Sequence, residues 1–218
     1  MFIGHYAVAL AAKKAEPAIS LGTLFMAVQL ADLVWPVLVL AGIERFEIHP
    51  GITAFTPLDF IHYPYSHSLM ALGLWGALFG VTYMLARKAS LRAALVLAAL
   101  VVSHWLLDFI AHRPDMPLTL WDSGKVGLGL WNSIPATVAV EALMFATGIW
   151  IYARATRPID RTGTWAFAGL VAFLCIVYVA NFMGPPPPSV AIVAWSANLL
   201  WLVVAWGYWI DRHRRVAA

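Results

Sequence analysis

The sequence predicts an all-α fold: a polytopic bundle of six transmembrane helices preceded by a short N-terminal half-helix. Three observations carry that prediction. Hydrophobic residues make up 62% of the chain and charged residues only 11%, against about 25% charge in soluble domains. The apolar residues fall into segments of about 20, the length that crosses a ~30 Å hydrocarbon layer. The basic residues sort to one side of the resulting crossings. With 218 residues the expectation is one integral membrane domain over 1–218, with two packing helices in 160–218.

The elements follow in order. "FIGHYAVALAA" is about half a span and reads as a short helix closed by the turn "KKAEP". Pro17 suits the first turn of the next helix, where its missing N–H costs nothing. The spans run roughly Pro17–Ile43, His67–Ala86, Leu91–Ala111, Ser133–Ala153, Gly163–Phe182 and Ser189–Ile210. "GPPPPS" at 184–189 is a stiff connector that cannot continue a helix. Lys13 and Lys14 follow the first apolar segment without a small-residue cleavage site, so a cleavable signal peptide is not expected. The lone Cys175 excludes an intrachain disulfide.

Lys13, Lys14, Arg87, Lys88, Arg92, Arg154, Arg157, Arg161, Arg212, Arg214 and Arg215 all fall on one side of the six-crossing arrangement. Only Arg45, Arg113 and Lys125 fall on the other. The positive-inside rule assigns the larger group, and both termini, to the cytoplasm, as in a bacterial inner-membrane protein. The loops 44–66 and 112–132 then face outward. This distribution explains the net charge of +3 without a nucleic-acid partner.

Three of the eleven acidic residues lie inside predicted spans: Asp32, Asp108 and Glu141. Intramembrane carboxylates are costly and are read as functional, with a partner to be named. Histidines are the available partners. "SHWLLDFIAHRPD" places His104, Asp108 and His112 four residues apart, on one helical face; His5, His62 and His67 lie elsewhere. At 1.5 Å per residue, Asp32 stands about 22 Å above the basic end, His104 about 18 Å, Asp108 about 24 Å and Glu141 about 20 Å. His5 comes out at about 14 Å and His67 at about 30 Å, bracketing that level.

Imidazoles mixed with carboxylates suit zinc or another borderline divalent ion, one or two per chain. A cation would also explain how three carboxylates are tolerated in a low dielectric. The plainer alternative is hydrogen bonding between helices, worth about 1 kcal/mol per pair. His49 and His213 read as loop and tail residues, and Asp59, Asp115 and Asp122 as solvated loop charges, with Asp59 able to orient a histidine. Asn181 and Asn198 read as helix–helix contacts.

The ordered motifs "GHYAVAL", "QLADLVWP", "YPYSHSL" and "SHWLLDFIAHRP" resemble those of the predicted membrane-bound metal-dependent hydrolases, the YdjM-like group, over about the first two-thirds of the chain. The resemblance implies His5, Asp32, His67 with Ser68, His104 and Asp108 as site residues, all within 1–145. Where that family has L-P-D-x-D this chain has "LAD", and "HYPYSHS" keeps His62 and His67 but lacks the family's arginine. The order of histidines and aspartates followed by a late glutamate is also similar, more loosely, to zinc-dependent phospholipases C.

The functional expectation is hydrolysis of a lipid or lipid-linked phosphoester by a metal-activated water, in the outer half of the membrane. His5, Asp32, His62, His67, His104, Asp108 and Glu141 form the ligand pool. Asp108, Glu141 and His112 are the catalytic candidates, and Arg113 and Lys125 could clamp a phosphate. A proton or divalent-metal transporter could use the same cluster. Against it stand the apolar inner halves of the spans and the lack of a visible inverted repeat or broken helix pair. A metal that only fixes the bundle is the third reading.

Overall fold

Helix boundaries are set by short polar side chains. Ser20, Ser68, Ser90, Ser133, Asp160 and Ser189 each accept the amide of the residue three positions on, a cap worth about 1 kcal/mol. The computed structural model describes residues 1–121 and 124–217; Asp122 lies outside them. The helices they start, with their neighbours, are α1 (Ile3–Ala15), α2 (Leu21–Val28), α3 (Leu30–Leu40), α4 (Pro64–His67), α5 (Leu69–Arg87), α6 (Leu91–Ala111), α7 (Ile134–Ala155), α8 (Arg161–Met183), α9 (Val190–Ala197) and α10 (Leu200–Arg212). The described residues are mostly helical, 67%.

Among the described residues, α5, α6, α7, α8 and the run Val190–Arg212 are long and apolar enough to cross a membrane. The first span expected from the sequence is divided. α2 and α3 meet at Gln29 with a bend of 56°, so a broken helix pair is present after all. Pro17 stands in a turn closed by the Ile19 amide on the Glu16 carbonyl (3.1 Å), and α2 starts only after Ser20. The last run is also interrupted, between Ala197 and Leu200.

The loops are not purely irregular. β1 (Arg45–Ile48) pairs antiparallel with β2 (Leu58–His62), β3 (Met116–Pro117) with β4 (Lys125–Val126), and β5 (Thr156–Pro158) with β6 (Arg214–Val216). Loop backbone laid over a packed bundle still needs hydrogen-bond partners, and short ladders supply them. The β1–β2 hairpin sits on α3 through Trp35, whose ring centroid is 4.9 Å from that of Phe46 and 5.7 Å from that of Phe60.

Two glycines bring site-bearing helices together. A Cβ on Gly80 would meet the Ala94 carbonyl oxygen at 2.5 Å, and one on Gly148 the Ala7 carbonyl oxygen at 2.6 Å. Only glycine allows these backbone approaches of α5 to α6 and α7 to α1. At the basic end, Lys13 pairs with Asp211 (3.2 Å) and Arg92 with Glu16 (2.7 Å). The N-terminal half-helix, the α5–α6 turn and the end of α10 therefore share one end, as the six-crossing arrangement requires. The loops 44–66 and 112–132 meet at the opposite end, where Phe55 stacks on Trp131.

Candidate metal centre

α6 carries the core of the site. His104 and Asp108, one turn apart, are buried (1% and 3% exposed) and turn toward α1 and α3. His5 of α1 lays its ring flat on that of His104, 3.8 Å between centroids at 3°, with its Nε2 3.1 Å from Asp108 Oδ1. Asp32 enters in the first turn of α3, just past the break. His67 closes α4, and its Nε2 is 3.3 Å from Asp32 Oδ1. Two donor triads result, His5–His104–Asp108 and Asp32–His67–His104, each with ligand atoms within 4.8 Å of one another.

Proton counting decides what these triads want. The break at Gln29 presents the Val28 carbonyl to His104 Nδ1 at 2.6 Å. A carbonyl only accepts, so Nδ1 carries the hydrogen and neutral His104 has a lone pair on Nε2. That Nε2 lies 3.1 Å from Asp108 Oδ2 and 3.8 Å from Asp32 Oδ1, yet it is buried with no well-aligned hydrogen bond among the described residues. When His104 is neutral, acceptor therefore faces acceptor inside the bundle. A cation between them removes the conflict, and these nitrogen and oxygen donors fit zinc or a similar divalent ion. Asp108 Oδ1 is also contacted by the Met1 backbone nitrogen.

The other sequence candidates take different places. Glu141, fully buried on α7, accepts the Phe2 and Gly4 amides with Oε2 (2.8 and 3.0 Å). It thereby caps α1, a favourable end for a carboxylate, while its Oε1 has no hydrogen-bond partner among the described residues. His62 ends β2 beside the Tyr65 ring, 6.1 Å between centroids, and belongs to neither triad. His112 is buried, gives Nδ1–H to Asp115 Oδ1 (2.9 Å) and lines the cavity described below. Arg113 pairs with Asp59 and with Asp115 (3.2 Å), and Lys125 donates to the Ile61 carbonyl (2.8 Å); neither lines that cavity.

Asp59 and Asp115 are not solvated loop charges. Both are buried, Asp59 between His49 and Arg113, Asp115 among His112, Arg113 and Tyr63. Burial, reinforced by the Asp115 carboxylate, pushes the Tyr63 phenol well above its ordinary range, so it serves Asp115 as a donor. Asn198 bonds to the Ala194 carbonyl of its own helix (2.9 Å). Asn181 lines the cavity.

Sequence reasoning missed Glu44. It is buried, accepts the Tyr65 and Ser66 amides (2.8 and 2.9 Å), and receives Ser66 Oγ–H at 2.5 Å. Ser66 Oγ in turn lies 2.7 Å from His67 Nδ1. In the sequence Glu44 looks like any charge just beyond a span, and no spacing ties it to a histidine.

A cavity of about 420 Å³ adjoins the centre, within the usual range of small-ligand sites. Asp32, His67, Asp108 and His112 line its polar side, and its apolar walls come from Trp35, Phe60 and Trp131 together with α8, α9 and α10, including Phe173, Val193 and Leu200. The C-terminal helices, expected only to pack, thus form part of the site.

No match is found. That holds for protein-family models, curated proteins and solved structures alike.

Proposed function

We propose that this chain is a membrane-embedded, metal-dependent hydrolase that cleaves a phosphoester of a lipid or lipid-linked substrate. The observation that carries the reading is the buried His104 Nε2 set between Asp108 and Asp32, with no well-aligned hydrogen bond among the described residues, beside a cavity with one polar and one apolar side. Embedding in a membrane is supported by the long apolar helices and by their exposed side chains, such as Leu74, Leu85, Leu95 and Leu143. The positive-inside rule places the basic end in the cytoplasm and the centre toward the outer face.

His5, Asp32, His67, His104 and Asp108 would hold one or two ions. When bound, a divalent ion supplies Lewis acidity and a water ionised near neutral pH. The chain does the rest. Asp32 is the more exposed of the two carboxylates, 27% at its side chain against 4% for Asp108, so it faces arriving water and substrate. His112, fixed through Nδ1 by Asp115, keeps its other ring nitrogen for the cavity, and as an imidazolium it would donate Nε2–H to the leaving oxygen. The apolar walls accept the hydrocarbon part of the substrate and exclude bulk water.

Purified protein should contain one or two equivalents of a divalent metal. In lipid nanodiscs it should release alcohol or phosphate from a lipid phosphoester, and Asp108→Asn should lose that release with the helical circular-dichroism signal unchanged. Metal-free protein with full turnover would reject the proposal.

The bend at Gln29, directly before Asp32, favours a second reading, since broken helices at ionisable residues also serve ion transport. Sealed vesicles that pass zinc or protons in an Asp32-dependent way, with no phosphoester cleavage, would select it.

A further inference from the structure

We infer that Glu44 is a positioning residue that fixes, through Ser66, which nitrogen of His67 offers a lone pair to the centre; the metal arm of the inference rests on the proposed function. A carboxylate cannot donate. Glu44 Oε1 takes the Tyr65 and Ser66 amides and Oε2 takes the Ser66 hydroxyl proton at 2.5 Å. With its proton committed, Ser66 Oγ can only accept from His67 Nδ1, 2.7 Å away. His67 therefore carries a hydrogen on Nδ1, and the neutral ring presents its Nε2 lone pair to Asp32 Oδ1, 3.3 Å distant.

The arrangement parallels His104, whose Nδ1–H is held by the Val28 carbonyl. Both imidazoles shared between Asp32 and its neighbours are thus presented with the same nitrogen forward. They are fixed by different devices: a backbone carbonyl freed by a helix break in one case, a buried carboxylate acting through a hydroxyl in the other. Glu44 and Ser66 are fully buried (2% and 0% exposed), so water does not compete for these bonds. A hydrogen-bonded partner on the far nitrogen orients a ligand histidine and raises its basicity, and losing it costs roughly 10- to 100-fold in metal affinity.

Glu44→Gln tests the direction of the chain. The glutamine is isosteric and keeps an oxygen for the two amides, but its NH₂ must donate to Ser66, which then donates to His67 Nδ1. The relay runs backwards and the Nε2–H tautomer is favoured. Imidazole ¹⁵N NMR of metal-free protein in nanodiscs should show the His67 Nδ1–H tautomer in the parent and a shift toward Nε2–H in Glu44→Gln. Zinc titration against a chelator should show affinity roughly 10- to 100-fold weaker in Glu44→Gln and in Ser66→Ala. An unchanged tautomer in Glu44→Gln overturns the inference, as does zinc affinity within twofold of the parent in both variants. Should Glu44→Gln not fold, Ser66→Ala decides the matter by zinc affinity and by loss of the Nδ1–H preference. A parent that binds no zinc defeats the metal reading alone, because the tautomer shift is read without metal.

Discussion

His112 Nδ1 and Asp115 Oδ1 lie 2.9 Å apart at the C-terminal end of α6, three residues from each other and both buried. The pair leaves the second imidazole nitrogen as the only one able to serve the cavity. Asp115 itself is braced by Arg113 (3.2 Å) and by the Tyr63 hydroxyl (3.2 Å), so the imidazole has one orientation. Asp115→Asn should therefore lower kcat by about 100-fold, the low end of what general acid–base catalysis contributes. KM and bound metal should stay as in the parent, and the kcat–pH profile should change shape. Steady-state kinetics with elemental analysis would show it; a fall in metal content would instead make Asp115 part of the metal's support.

His104 is the one residue that belongs to both donor triads. His104→Ala should remove all tightly bound zinc. His62→Ala should leave the zinc content unchanged, because His62 lies outside both triads. Metal analysis of the two purified variants is sufficient.

Glu141 holds the start of α1 through two amides, and α1 carries His5. Glu141→Ala leaves both amides unpaired in the interior and should cost about 1–3 kcal/mol, seen as a lower Tm in nanodiscs. Glu141→Gln retains a carbonyl oxygen for the same amides and should recover most of that loss. A Glu141→Gln variant that keeps its Tm but loses zinc would show that Oε1 is a ligand as well.

Gly148→Val should separate α7 from α1, since its Cβ would approach the Ala7 carbonyl oxygen to 2.6 Å. Overpacking of this kind costs about 1–3 kcal/mol. The variant should lower Tm and weaken zinc binding together, because the displaced helix carries His5. A valine variant with the parent's Tm would contradict the close packing.

Asp160 caps α8 at the basic end and accepts from His213 Nδ1 (2.7 Å) and the Gly163 amide (2.9 Å). The His213 hydrogen bond, then the amide, hold its carboxyl below the usual value of 3.8. A carboxyl lowered in the folded state contributes stability fully above its unfolded value and loses it as pH falls through the folded one. Carboxylate ¹³C NMR should find a midpoint below 3.8, and His213→Ala should move it upward.

Much of the fold was legible in the primary structure because apolar length is a local property. α5, α6, α7 and α8 begin and end within about two residues of the expected limits, and the three serines and the aspartate that cap them are visible in the chain. The stripe of His104 and Asp108 was legible for the same reason, since α-helical periodicity alone puts them on one face. His5, Asp32 and His67 could be nominated by depth, but depth gives no azimuth around a helix. Glu141 shows the consequence: it matches the centre in height and caps a helix.

Sequence by itself determined the apolar segments, the sorting of basic residues to one end and the kinds of donor atom present. Tertiary structure alone decided the break at Gln29, the burial of Asp59 and Asp115, the recruitment of α8–α10 as cavity walls and the line from Glu44 to His67. The physical reason is range. Burial of apolar length and helical hydrogen bonding act between near neighbours in the chain. The destination of a single proton, by contrast, depends on which acceptor a distant segment brings within 3 Å.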